Sequence, residues 1–391
     1  MIEGDVRPGF EEVREEFERN FAERGEVGAA FSVYRGEEPL VDLWGGYRDP
    51  DRGLPWESDT LLPMFSATKG VAAGTMAVAH AHGAFDYDTP VAEYWPEFAQ
   101  NGKGHISVRD LLDHRAGLSA LDVPVGAATL ADPAALAGIL AAQQPRWKPG
   151  TRHGYHSLTL GLYQSELMRR VDSLGRGVDG YFQQEIAHRL GLEFYIGTPD
   201  SVSLDRQAAL PAPTRADILR NINEVPFGYA LSLFNPMSIT RRTFGNPPLR
   251  TASELALPPY RGIELASANG IGQVRDVARF YAELAGGGAA LGLDDRTFGE
   301  LKRPDPPPSG GERDLVLKVT TRFTLGFWKP FADWRFGSDE SAFGAPGAGG
   351  SFGFADPARG TGYCYGTNAL GLRIWDDRRE KALRDALYRC L

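Results

Sequence analysis

Apolar residues along this chain recur with two different periods, and the period changes twice. Over residues 10–21, Phe10, Val13, Phe17 and Phe21 recur at spacings of three and four, with Glu and Arg between them. That pattern predicts an amphipathic helix with one aromatic face. Val27 to Tyr34 and Pro39 to Tyr47 are rich in Val, Phe, Trp and Tyr and flank Arg35-Gly36-Glu37-Glu38, which predicts a β-hairpin. From Ser66 to about His82 the residues are small and apolar with no proline, which predicts a buried helix. Between about 85 and 260, helical segments such as Val108–Asp113, Pro133–Gln143 and Leu158–Val171 alternate with loops, and strand patterns are scarce. Phe234 to Tyr260, rich in Pro, Asn and Arg, is expected to lie over a surface or a cleft.

Strand patterns then return. Gln273 to Ala285 reads as a helix closed by Gly286-Gly287-Gly288. Strands are expected at Leu315–Val319, Arg322–Lys329, Gly350–Ala355 and Thr361–Thr367. Leu383, Leu387 and Leu391, each four apart, mark a closing helix. Both ends therefore read as helix plus sheet, and the middle as helical. The expectation is an α+β protein: residues 1–84 and 262–391 form one discontinuous sheet domain, and residues 85–261 form a mostly helical insertion. No internal repeat is visible.

Composition narrows the class. A chain of 391 residues has the length of two or three domains at about 150 residues each, and 42% apolar residues can fill a core. With 47 glycines and 27 prolines it is loop-rich without being low-complexity. Acidic residues outnumber basic ones, 51 to 42, for a net charge of −9, and no basic block occurs; a nucleic-acid partner is therefore not expected. The two cysteines, Cys364 and Cys390, have no metal-type spacing and suit a reducing compartment. Met1-Ile2-Glu3-Gly4-Asp5 is acidic where a secretory signal is basic, and Gly70 to Phe85 is shorter than the ~20 apolar residues of a membrane helix. These features lead to an expectation of a soluble cytoplasmic protein, monomer or homodimer, with no membrane partner.

Three segments carry candidate chemistry. In Met64-Phe65-Ser66-Ala67-Thr68-Lys69, Ser66 and Lys69 stand three apart at the start of a helix, so their side chains share one face. A serine hydroxyl becomes nucleophilic when a base takes its proton, and a lysine made neutral by burial and the positive helix end can be that base. Alone, the tetrapeptide reads as a capped helix followed by a surface lysine; within an otherwise uncharged helix, an unpaired lysine calls for a function. In Trp147-Lys148-Pro149-Gly150-Thr151-Arg152-His153-Gly154-Tyr155-His156-Ser157, a Pro-Gly turn delivers Tyr155, whose phenol could shuttle protons near Lys69. The alternative is an ordinary core tyrosine. Phe343 to Phe354, glycine-rich and running into a strand, offers backbone N–H groups to an oxyanion, or else is a tight inter-strand loop.

In this order the three segments resemble the serine β-lactamase and penicillin-binding-protein superfamily, with its Ser-x-x-Lys motif, and more closely its family VIII carboxylesterases. Ile106 to Leu118, the Trp-x-Pro-Gly-Thr run and Ser267-Ala268-Asn269-Gly270 extend the resemblance from about residue 10 to 390. It implies a β-lactamase/transpeptidase-like fold, with an antiparallel sheet flanked by helices, a helical domain and the site between them. It implies Ser66 as acyl-enzyme nucleophile, Lys69 as base and Tyr155 as proton relay. It also implies an oxyanion hole from the N–H groups of Ser66 and Ala348, with His156, Ser157, Ala345, Gly347 and Gly349 around the substrate. No cofactor or metal is expected. Where β-lactamases have Tyr-x-Asn, Ser157 replaces the Asn, and Ala345 stands where the third motif carries a lysine, histidine or tryptophan. Both departures point to a small-molecule neutral ester instead of a β-lactam.

Competing motifs are weaker. Gly349-Gly350-Ser351-Phe352-Gly353 matches the Gly-x-Ser-x-Gly elbow, but Ser351 leads into strand and loop where the elbow needs a helix. Gly175 to Gly180 matches a dinucleotide fingerprint but follows a helix. Lys148-Pro149-Gly150 reads as a turn, and His114 or His156 in a Ser-His-Asp triad is a lesser reading. The expected activity is carboxylester hydrolysis through an acyl-enzyme. Alternatives are acyl transfer with Arg241 and Arg242 at the pocket rim, weak β-lactam or amide hydrolysis, and a non-catalytic binding protein.

Overall fold

A computed structural model describes residues 2–211 and 224–391. Its main sheet draws strands from both ends of the chain: β1 (Ile2–Val6), β2 (Gly28–Arg35) and β3 (Glu38–Asp49) from one, and β4 (Phe323–Thr324), β5 (Phe327–Trp328), β6 (Phe343–Pro346), β7 (Phe352–Asp356) and β8 (Thr361–Thr367) from the other. The strand order is β1-β3-β2-β8-β7-β6-β5-β4, with Leu54–Pro55 as a ninth short strand on β3. The two ends meet where β2 pairs antiparallel with β8, Val33 opposite Tyr363.

Alternation along β2 assigns its side chains to two cores. Phe31 and Val33 join Val13 and Phe17 of α1 (Glu11–Glu23) and Leu383 and Leu387 of α7 (Arg378–Cys390) on one face. Ala30 and Tyr34 face the other core, with α2 (Thr68–Ala81), α3 (Thr159–Val171) and α6 (Val274–Ala285). The predicted helix after Ser66 is buried on every side from Thr68 to His80, as its lack of a polar face requires. Two short helices, α4 (Phe227–Phe234) and α5 (Ile239–Phe244), lie in the stretch before α6. A small second sheet pairs Leu62–Pro63 and Phe194–Ile196 with Gly270–Gly272.

Several sequence expectations need correction. Leu315–Val319 is not a strand: the Asp314 carboxylate accepts the N–H groups of Val316 and Leu317, both at 2.7 Å, and curls the segment into a turn. Arg322–Lys329 is not one strand but the tight hairpin β4–β5, reversed at Leu325 (φ +52°) and Gly326 (φ +93°). β1 and β6 were not expected as strands; both are short and contain glycine, and pairing with a neighbour sets them. Ser66 itself sits in a 3₁₀ turn, Phe65–Ala67, immediately ahead of α2.

Candidate active site

The short strand Leu62–Pro63 leads the chain straight into the turn bearing Ser66. Phe65 adopts φ +46°, a left-handed conformation that is strained for a bulky residue and that persists only where the surroundings enforce it. Ser66 is partly exposed, whereas Lys69 is completely buried. The Lys69 Nζ lies 3.2 Å from Ser66 Oγ, 2.5 Å from the carbonyl of Ser157 and 2.8 Å from the carbonyl of Ser267. All three neighbours are uncharged. Burial without a carboxylate partner pushes the Lys69 amine well below its usual range, and in the neutral form its two N–H bonds match the two carbonyls while the lone pair is left for Ser66.

Tyr155 is brought to the same point from the helical region. Lys69 Nζ stands 4.8 Å from the centre of its ring. Burial raises the phenol, and hydrogen bonding with Ser66 offsets part of that rise. Phe323 stacks on the ring at 6.3 Å and Trp328 tilts against it at 5.8 Å. The Tyr155 N–H donates to Asp314 Oδ2 at 2.9 Å, so the turn at Asp314 fixes the backbone that carries the phenol. Burial pushes the Asp314 carboxyl up to about 6.

The glycine-rich segment closes the site. At Gly347, a Cβ would stand 2.4 Å from the Met64 carbonyl oxygen and 3.2 Å from the Ala67 nitrogen, so the end of β6 touches the Ser66 turn backbone to backbone. The Gly347 N–H donates to the Ser351 carbonyl at 2.7 Å. Next to it, Ala348 is exposed, and its N–H has no hydrogen-bond partner among the described residues. Ser66 lies in the first turn of its helical segment, where N–H groups lack intrahelical acceptors. Gly349 is buried with φ +93°.

Other candidate residues have different surroundings. His156 is buried: Nε2 accepts the Leu118 N–H at 2.9 Å and Nδ1 pairs with the Gly154 carbonyl at 2.7 Å. Neither nitrogen is left for substrate, which corrects its expected place in the pocket; burial pushes it down to about 3, so it is a neutral strut. His114 Nδ1 accepts the His156 N–H at 3.0 Å, so the two histidines brace one another's segments. Ser157 contributes its carbonyl to Lys69, as noted. Ala345 is fully buried beside Gly70 of α2 and presents no polar group. Ser351 is buried and followed by β7, not by a helix. Gly177, in the false dinucleotide fingerprint, packs against the Glu264 carboxylate.

Sequence reasoning missed three contributors: the strained Phe65, the carboxylate of Asp314 and the carbonyl of Ser267. The last is set by α3, where a Cβ on Gly161 would stand 2.4 Å from the Ser267 nitrogen. No local pattern announces a backbone carbonyl or a buried aspartate in a turn; only the Ser267 phrase was visible, without its role. Among the described residues, no group of three or more His, Cys, Asp or Glu side chains could hold a metal ion.

Residues 14–386 match the beta-lactamase family model. A crystal structure of a family VIII carboxylesterase superimposes with a TM-score of 0.87 at 35% identity, covering 100% of both chains. A penicillin-binding-protein homologue from Caulobacter crescentus gives 0.87 at 36% identity, again over 100% of both. The esterase/beta-lactamase LipL of Mycobacterium tuberculosis is 31% identical over 382 residues, 94% of this chain and 83% of LipL.

Proposed function

This chain belongs to the beta-lactamase family, and we propose that within it the protein is a carboxylesterase that acylates Ser66. The observation that carries this reading is the buried, uncharged-neighbour Lys69 with its Nζ 3.2 Å from Ser66 Oγ. The esterase relatives support it at the level of substrate class.

In the proposed mechanism, neutral Lys69 takes the proton of Ser66 as Oγ bonds to the ester carbonyl carbon. The carbonyls of Ser157 and Ser267 hold the amine in line and receive its N–H bonds in either charge state. The developing oxyanion accepts from the N–H groups of Ser66 and Ala348. Tyr155 gives its phenol proton to the leaving alkoxide and recovers one from Lys69, so the acyl-enzyme forms with the base neutral again. Water then enters by the reverse path, and Ser66 is released with the acid.

Ser157 and Ala345 bring neither an amide nor a cation to the pocket, which suits a neutral ester better than an anionic β-lactam. Both cysteines are free thiols, in keeping with a cytoplasmic location. The test is hydrolysis of p-nitrophenyl butyrate and of a chromogenic cephalosporin by wild type and Ser66→Ala. Fast ester cleavage lost in Ser66→Ala, with little cephalosporin turnover, is the expected result. Ester cleavage that survives in Ser66→Ala overturns the assignment.

A further inference from the structure

Nine large hydrophobic side chains are exposed among the described residues, and four of them fall within eleven positions. They are Phe227, Leu231, Phe234 and Met237, which are 78%, 56%, 87% and 83% exposed. Phe227, Leu231 and Phe234 are four and three apart on α4, so they form one outward face. A cluster of this kind is uncommon on a soluble surface and marks an interaction site.

The opposite side of α4 faces the core that contains Tyr155. Tyr229 packs edge-on against Phe244 of α5 at 5.7 Å, and both lie against that core. About a quarter-turn from the exposed face lies Gly228, where a Cβ would stand 3.5 Å from Lys318 Cβ and 3.7 Å from Arg313 Nη2. The Arg313 guanidinium therefore flanks the apolar face, and the Lys318 side chain is rooted beside it. Residues 225–250 carry three arginines and no carboxylate; Arg242 pairs with Asp122 at 3.2 Å and Arg250 with Glu254 at 3.7 Å, whereas Arg241 is exposed. Arg313 and Arg241, both exposed, thus stand near the apolar side chains of α4 in a chain whose net charge is −9.

We propose that α4 docks the protein on an anionic lipid–water interface, with Phe227, Leu231, Phe234 and Met237 entering the apolar layer and the nearby Lys318, Arg313 and Arg241 meeting lipid headgroups. Apolar area and electrostatic attraction to anionic lipid add in this mode of binding. At eight residues α4 lies on such a surface and does not cross it, and no described helix is long and apolar enough to span a membrane. This departs from the sequence expectation of no membrane partner. It deepens the carboxylesterase reading, on which it rests for the substrate: the ester reaching Ser66 would be one held in a lipid aggregate.

The test is co-sedimentation of the full chain with vesicles of phosphatidylcholine alone and of phosphatidylcholine with phosphatidylglycerol. Binding is expected to the anionic vesicles, weakened by added salt. The double variant Phe227→Ser/Phe234→Ser should lose about tenfold or more in binding while keeping its rate on soluble p-nitrophenyl acetate and its melting temperature. Absence of binding to anionic vesicles, or equal binding by wild type and variant, overturns the proposal. So does a concentration-dependent dimer in lipid-free solution that the double variant abolishes, since the patch would then be covered by a second copy. Vesicle binding by a protein whose Ser66→Ala form still cleaves esters would leave the docking surface standing and remove only the catalytic reading.

Discussion

Arg379 Nη2 donates to the carbonyl of Gly349 at 3.2 Å, tying the first turn of the carboxy-terminal helix to the loop that carries Ala348. The guanidinium is buried and held by both oxygens of Asp377, at 2.9 and 3.0 Å, with Glu26 Oε1 at 3.3 Å. Gly371 N–H also donates to the Gly349 carbonyl, at 3.0 Å. Gly347 on one side and Gly349 on the other are thus pinned by different elements, with Ala348 between them.

On the proposed role of Ala348 as oxyanion donor, Arg379→Lys should lower kcat by about tenfold with little change in KM, because a displaced donor weakens the transition state more than substrate binding. Affinity for a boronic acid transition-state analogue should fall in parallel. Arg379→Met should in addition destabilise the fold by about 3–5 kcal/mol, since Asp377 and Glu26 lose the charge they are buried against. Steady-state kinetics, analogue titration and denaturant melts check the three expectations.

Lys69 makes a pH prediction in two parts. Its amine is held well below the usual lysine range by burial, so activity should rise with pH as that depressed group loses its proton, and be low in acid. For stability the unfolded chain binds the proton up to about 10.5 while the folded chain has already released it. Folding therefore strengthens as pH rises across that window. The stability of wild type relative to Lys69→Met should increase from neutral pH towards 10.5, measured by urea melts at a series of pH values.

Asp314→Ala removes the acceptor of three buried N–H groups, those of Tyr155, Val316 and Leu317. A loss on the order of 3 kcal/mol or more is expected from the orphaned donors. Because one of them belongs to Tyr155, kcat should also fall, and the Tyr155→Phe/Asp314→Ala double variant should be little slower than Tyr155→Phe alone. Additive losses of rate would show that Asp314 does not act through the tyrosine.

Gly347→Ala places a methyl 2.4 Å from the Met64 carbonyl oxygen, and neither piece of backbone is a flexible side-chain end that can swing away. The strand end must move off the Ser66 turn. Ester hydrolysis should drop about tenfold or more, whereas Gly36→Ala, in the open β2–β3 turn, should leave the rate unchanged. Parallel kinetics on the two variants check the contrast.

Much of this protein was legible from local pattern. Spacings of three and four in Phe10, Val13, Phe17 and Phe21 specify a helix whatever surrounds it, and the β-rich run from Val27 to Tyr47 specifies its own hairpin. The proximity of Ser66 and Lys69 is likewise a local matter, since one helical turn separates them. Tertiary structure decided whatever depends on partners distant in sequence. The strands β1 and β6 exist because a neighbour pairs with them, and Leu315–Val319 becomes a turn because the Asp314 carboxylate takes its N–H groups. His156 looked like a pocket residue beside Tyr155, yet backbone groups at Leu118 and Gly154 claim both of its nitrogens. Lys69 is a base candidate in the sequence, but its lowered pKa comes from complete burial, against the carbonyls of Ser157 and Ser267, 88 and 198 residues away. Local spacing determines which side chains share a helix face; the electrostatic character of that face is set by what folding packs against it.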